Sequence, residues 1–269
     1  MEPATNENVA AQPNAPRIHL PNLQLLEEGR VVIVGLGGIG GQLARSILRF
    51  IAAWTLLSCR VVLVDGDRFE ERNRERMEVP EIGNKANVLC RVLSRQLGRA
   101  RLSIRPVDSY VNRYNVERIL QEGDIVLGAV DNHATRRLLV QRCEQMENVV
   151  LISGGNDGIE NGLQGSYGNV QIYQRQEGRD LSPPPTRYHP EIEHPEDEVP
   201  GPSCVDLAAT VAPQLGFTNE FAAAVMSGAF LRLLASEDRG AMYHEACFDT
   251  LEARLVPHWL DGDATTIPA

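Results

Sequence analysis

From residue 30 onward the chain alternates short unbroken apolar runs with longer stretches that repeat at helical spacing. The run "RVVIVG" at 30–35 is β-branched, uninterrupted and ended by glycine, as a strand buried on both faces requires. Residues 38–57 then read as a helix. A second strand is predicted at 60–67, a helix at 85–97, and further strands at 102–108 and 124–130 on either side of a short helix, "NVERIL". "NHATRRLLVQRCEQME" reads as a helix with Asn132 near its start, and "VVLIS" as a fifth strand. Strands alternating with helices at this spacing predict an α/β fold with a doubly wound, mainly parallel sheet.

The pattern changes after Gly154. "GSYGNVQIYQ" alternates polar and apolar positions, which predicts an antiparallel strand extending the sheet. Residues 177–203 are proline-rich, acidic and without periodicity, the signature of a functional or disordered loop. Order resumes at Cys204, with an apolar helix rich in small residues at 217–234 and a terminal hairpin around "YHEACFDTLEARLV". The expected organisation is a flexible arm at 1–29, one domain at 30–257 crossed by the loop 177–203, and a tail at 258–269.

Composition narrows the classes. At 269 residues and 43% hydrophobic content the chain can bury a substantial core. A net charge of −10 argues against binding along a nucleic-acid backbone. No apolar run reaches about 18 residues, so no membrane span is expected, and the N-terminus lacks a secretion signal. Five scattered cysteines with no C-x-x-C pair suggest reduced cytoplasmic thiols and offer no ready zinc site.

The chemistry starts at "GLGGIG". Gly35, Gly37 and Gly40 satisfy G-x-G-x-x-G between a strand and a helix, with Gly38 as an additional glycine, and such a turn brings backbone N–H groups to a phosphate at a helix N-terminus. Asp65 ends the second strand, where an acid binds ribose hydroxyls. A dinucleotide fits this much equally well. Asp67, Asn73 and Arg76 follow directly, Lys85 opens a helix, and Asp131 lies just beyond the fourth strand. In an open α/β sheet the strand ends line one crevice, so Asp65, Asp67 and Asp131 should share an edge. Hydride transfer has no evident need for Arg76, Lys85 and a third acid; a triphosphate with magnesium does. Each residue also has a plainer reading. The arginines and glutamates of 70–76 would form a solvated loop, and Asp131-Asn132 would be a helix cap.

Together "GLGGIG", "DGDRFEERNRERM", "GNKA" and "DNHATR" resemble the ThiF/MoeB/ubiquitin-activating superfamily of ATP-dependent adenylyltransferases. The likeness runs from about residue 30 to 234. "GGND" and "PSCVDLAATVAPQLGFTN" are similar to ThiF-like proteins of PRTRC clusters and bacterial ubiquitin-like operons. The resemblance implies a Rossmann-like domain in which ATP and Mg2+ are bound. It assigns Asp65 to the ribose, Arg76 and Lys85 to the triphosphate and Asp131 to the metal, with Asp67 and Asn73 completing the pocket. It also implies a homodimer. Its substrate would be a small ubiquitin-like or sulfur-carrier protein ending in glycine, with a conjugating or sulfurtransferase protein downstream. The sequence departs from the pattern at Arg72, Arg74 and Met77, in a glycine-to-lysine gap one residue short, and in lacking paired C-x-x-C motifs; Arg17 is a weak match to the arginine that relatives lend across their dimer.

Cys204 precedes a predicted helix, where a lowered thiol pKa would favour acyl transfer; the alternative is a buried small apolar side chain. Cys59, Cys90, Cys143 and Cys247 fall within predicted helices or strands and read as core. His189 and His194 read as exposed loop histidines. Two rivals stay open on the sequence: an NAD-dependent oxidoreductase with the same turn, and a non-catalytic scaffold.

Overall fold

A computed structural model describes residues 18–54, 58–75, 78–98, 102–159, 164–199, 214–239 and 242–259. A short helix α1 (Leu25–Glu28) leads into β1 (Val31–Val34), α2 (Gly38–Trp54) and β2 (Cys59–Val64). A two-residue ribbon, β3 (Arg68–Phe69) with β4 (Gly83–Asn84), brackets a 3-10 turn at Glu71–Glu75. Then come α3 (Lys85–Gln96), β5 (Leu102–Val107), α4 (Val116–Ile119), β6 (Ile125–Gly128), α5 (His133–Glu144) and β7 (Val149–Asn156). The chain continues through β8 (Tyr167–Gln176), β9 (Arg179–Asp180), α6 (Pro190–Glu193), α7 (Gly216–Ala235), β10 (Glu245–Asp249) and β11 (Arg254–His258).

The main sheet runs β11-β10-β8-β7-β6-β1-β2-β5, with β9 paired to β8. The five strands from β7 to β5 are parallel, and β8, β10 and β11 extend them in antiparallel fashion, as the change of pattern after Gly154 predicts. β1 and β6 are wholly buried, which explains why their sequences are unbroken apolar runs. Helices α2, α3 and α7 pack on one face around Ile33, Leu63 and Phe230, and α4 and α5 on the other around Val32, Val126 and Leu139. The order reverses at β1, whose neighbours are β2 and β6, and the crevice beyond their carboxyl ends is the place such sheets reserve for ligands.

Two expectations are corrected. Much of the proline-rich stretch is ordered. It carries β9, a 3-10 turn at Pro185–Arg187 and α6, and it buries Ser182, Pro185 and Ile192. Proline at the starts of the 3-10 turn and α6 fixes φ where no N–H partner is needed, so the composition that reads as loop here nucleates short helices. His189 is also not an exposed loop histidine. Its side chain is 16% exposed, with Nδ1 2.7 Å from Glu191 and Nε2 2.7 Å from Glu245 on β10.

This clasp has a defined pH window. Burial alone would lower the His189 pKa, but the bonds and charges of Glu245 and Glu191 outweigh it and raise the value above 6.5. Burial likewise favours the neutral glutamates, and their contacts with His189 help hold both below 4.5. The histidine's contribution is full below 6.5 and is lost as pH rises through its raised value. That of the glutamates is present above 4.5 and is lost as pH falls through their lowered values. His189→Gln should therefore lose on the order of 1–2 kcal/mol near pH 6 and show a flatter fall in Tm at alkaline pH than wild type, measured by calorimetry.

Candidate functional site

The glycine turn sits between the end of β1 and α2, and each glycine meets a different demand. Gly35 has φ +83°, and a side chain there would also strike the Ala129 carbonyl at 2.5 Å. A Cβ on Gly40 would lie 1.8 Å from the Gly35 carbonyl oxygen, so this residue sets how closely α2 approaches the turn. Gly38 is pressed against Asn219 of α7, while a Cβ on Gly37 would project into open space. Among the described residues no side chain accepts from the first-turn N–H groups of α2; the neighbouring Leu36 N–H is the one that meets a carboxylate. The start of this 17-residue helix is thus a set of unpaired donors with the positive end of the helix dipole behind them.

Asp65 lies just past β2, which ends at Val64 and not at Asp67, and it ties the turn to the second strand. One carboxylate oxygen accepts from Leu36 N–H at 2.6 Å and the other from Asp67 N–H at 2.7 Å. Burial raises its pKa, opposed by Lys85 and the two N–H donors. Lys85 opens α3, and its Nζ lies 2.9 Å from the Asp67 carboxylate, which also accepts from the Tyr110 hydroxyl. Burial would lower the Lys85 pKa, but Asp65, Asp67 and, more weakly, Asp131 outweigh it and keep the ammonium charged. Asn84 fixes this arrangement: it caps α3 through Asn87 N–H and donates to the Asp65 and Asp67 carbonyls. The shortened glycine-to-lysine spacing therefore still delivers Lys85 to the two acids.

Asp131 is exposed and makes no hydrogen bond or ion pair among the described residues. The capping role falls to Asn132, whose Oδ1 accepts from Thr135 N–H at 2.8 Å. Asn73 is buried, but its Oδ1 accepts from Glu70 N–H at 2.8 Å, stabilising the 3-10 turn. Arg76 and Cys204 lie outside the described residues. Cys59 and Cys143 are buried, and burial pushes the Cys59 thiol up to about 11, in keeping with inert core thiols; Cys90 and Cys247 are half-buried.

Three contributors escaped sequence reasoning. Arg136 is buried and donates to the Val130 and Gly154 carbonyls, and a Cβ on Gly155 would lie 2.0 Å from its guanidinium. Asp197, in the acidic segment, accepts from His133 and Ala134 N–H at 2.7 Å each, folding that segment over the start of α5. Tyr110 closes a cavity of about 750 Å³ next to Gly66, also lined by Asp108, Asn112, Arg137 and Pro195. Asp197 had no sequence signal, because its partners are two backbone groups more than 60 residues away. The Gly-Gly pair at 154–155 was the available hint for Arg136.

The model of the ThiF family matches residues 9–252. A Haloferax volcanii protein named SAMP-activating enzyme E1 is 31% identical over 132 residues, 48% of this chain and 46% of that protein. The chain thus spans about half the length of that relative. A solved structure of E. coli MccB with ATP is similar over 90% of this chain and 67% of that one, with TM-score 0.57 and 16% identity. PaaA is similar over 88% and 65%, with TM-score 0.58 and 13% identity. At these identities the structural likeness shows a shared fold.

The glycines separate folding from binding. Gly40→Ala should fail to fold or lose several kcal/mol, because the added methyl meets backbone. Gly37→Ala should keep the wild-type Tm within about 1 °C and weaken binding of phosphate-bearing ligands, read by thermal denaturation and titration calorimetry.

Proposed function

The chain belongs to the ThiF family, and on that premise we propose that it is an E1-like, ATP-dependent adenylyltransferase acting on the C-terminal glycine of a small ubiquitin-like or sulfur-carrier protein. One juxtaposition carries the reading: a charged, buried Lys85 among Asp65, Asp67 and Asp131, beside a helix start with no side-chain cap among the described residues. A hydride-transfer site needs the turn and the ribose acid but no such cation. The name of the Haloferax relative and the MccB structures with ATP support the same reading.

In this reading the phosphates rest on the α2 start, and Asp65 takes the ribose. The cavity bordered by Tyr110 and Arg137 has room for the base. Lys85, held ready by Asp67, turns to the phosphates, and Arg76 supplies a second cation. Asp131 would hold magnesium. Its exposed carboxylate fits an ion that keeps most of its waters and takes phosphate oxygens, and no cluster of three ligating side chains occurs among the described residues. When bound, that ion offsets triphosphate charge. The glycine carboxylate attacks the α-phosphorus as the bond to pyrophosphate breaks, giving an acyl-adenylate and pyrophosphate. The protein's part is positioning and charge. In a second step the Cys204 thiolate attacks the acyl carbon and AMP departs, leaving a thioester for a downstream conjugating or sulfurtransferase protein. The reading places the activity in residues 30–257 of a cytoplasmic homodimer.

ATP–pyrophosphate exchange tests the reading directly. Exchange should require a partner protein ending in glycine; none with an authentic partner would overturn it. Asp131→Asn should cut exchange on the order of 100-fold with little change in Tm, since its exposed carboxylate makes no hydrogen bond or ion pair among the described residues. Cys204→Ala should retain exchange and lose any conjugate sensitive to reducing agents. A conjugate that persists would exclude Cys204 as the acceptor.

A further inference from the structure

The Asp67 carboxylate takes donors from two separate elements. Lys85 Nζ, at the start of α3, meets one oxygen at 2.9 Å, and the Tyr110 hydroxyl, from the loop after β5, donates to the other. Lys85 has a part in the proposed reaction and Tyr110 has none, yet Tyr110 is held closely in place. Gly66 stands between Asp65 and Asp67, and a Cβ there would lie 2.5 Å from Tyr110 Cδ2 and 2.6 Å from Tyr110 N. The absence of a side chain at Gly66 therefore lets the ring and backbone of Tyr110 close on the strand end. From behind, the Tyr110 carbonyl accepts from Asn115 Nδ2 at 2.9 Å, and buried Asn115 also accepts from Asn112 N–H at 2.8 Å. The backbone of Asp67 is fixed as well, its carbonyl accepting from Lys85 N–H at 2.9 Å. With both backbones held, the hydroxyl bond helps to fix what remains free, the direction of the Asp67 carboxylate.

We infer that Tyr110 is a positioning residue for Lys85: its hydroxyl retains the Asp67 carboxylate, so that the ammonium can leave that acid and turn to the nucleotide phosphates. The inference rests on the nucleotide reading above and deepens it. Lys85 must give up a charge-assisted bond to Asp67 before it can serve a phosphate. Two effects then oppose it. The carboxylate can rotate after the departing ammonium and hold it back, and its uncovered charge repels the phosphate that the lysine approaches. A hydroxyl on the second oxygen counters both. It ties that oxygen down and takes up part of its charge, without adding a charge of its own. The ring of the same residue lines the cavity that this reading gives to the base, so seating of the base and release of the lysine meet in one side chain.

Tyr110→Phe keeps the ring and removes only the hydroxyl, so the protein should fold and bind adenosine as wild type does. Its Kd for ATP and for pyrophosphate should rise about three- to tenfold in calorimetric titration, as the loss of one hydrogen bond to a charged group allows. Asp67→Asn is the background that isolates the cause. With no carboxylate to hold Lys85, adding Tyr110→Phe should change both affinities by less than about twofold. Wild-type affinity for ATP and pyrophosphate in Tyr110→Phe would overturn the proposal. So would an equal loss for adenosine, which would mean a damaged cavity. The same loss in the Asp67→Asn background would also overturn it, because Tyr110 would then act without Asp67. If Asp67→Asn does not fold, the loss for ATP and pyrophosphate against that for adenosine in Tyr110→Phe decides alone. A wild-type protein that binds pyrophosphate but not ATP would sink the nucleotide reading, and Tyr110 would then stand or fall on pyrophosphate.

Discussion

The site depends on one buried carboxylate. Asp65 joins the turn after β1 to the loop after β2 by accepting from Leu36 and Asp67 N–H, so the ends of two central strands are fixed by one side chain. A charge taken this far from water is unstable unless it is paired. Lys85 supplies the compensation, and Asn84 holds Lys85 in place by starting α3 there. The position of a whole helix follows from the need to neutralise Asp65. That is also why a cation stands beside the glycine turn in the protein alone.

The crevice receives two helix starts, and they are treated differently. The start of α5 is capped by Asn132 and by the distant Asp197, which together take the N–H groups of His133, Ala134 and Thr135. The start of α2 has no side-chain cap among the described residues. An anion entering the crevice therefore finds open donors at α2 and an occupied end at α5. Asp131 lies between the strand end and the capped helix, which places its carboxylate beside the open site and frees it from a structural task.

The strand and helix alternation was legible because buried parallel strands must be apolar without interruption, as 31–34 and 125–128 are. Asp65, Asp67, Lys85 and the glycines were legible because they follow the strand ends in order. The contributors that were missed act across the fold, mostly through backbone partners. Asp197 reaches α5, Arg136 reaches the end of β7, and Tyr110 reaches the Asp67 carboxylate. No local pattern records such contacts. The proline-rich segment misled for a related reason: its helices are too short to show a period, and its order comes from Tyr188, His189 and Ile192 meeting other elements.

The same segment shows how the antiparallel half of the sheet serves the parallel half. β8 and β10 lie outside the parallel part of the sheet, yet they carry the anchors of the roof over α5. Ser182 bonds within β8, His189 reaches Glu245 on β10, and Tyr188 donates to the His244 carbonyl. From these anchors the chain continues through α6 to Asp197 at the start of α5. The extension thus holds in place the acid that closes one helix start, leaving the other as the open end of the crevice. A sheet of five parallel strands alone would leave Asn132 as the only side-chain cap seen on α5 and free the His133 and Ala134 N–H groups to compete with α2 for an anion.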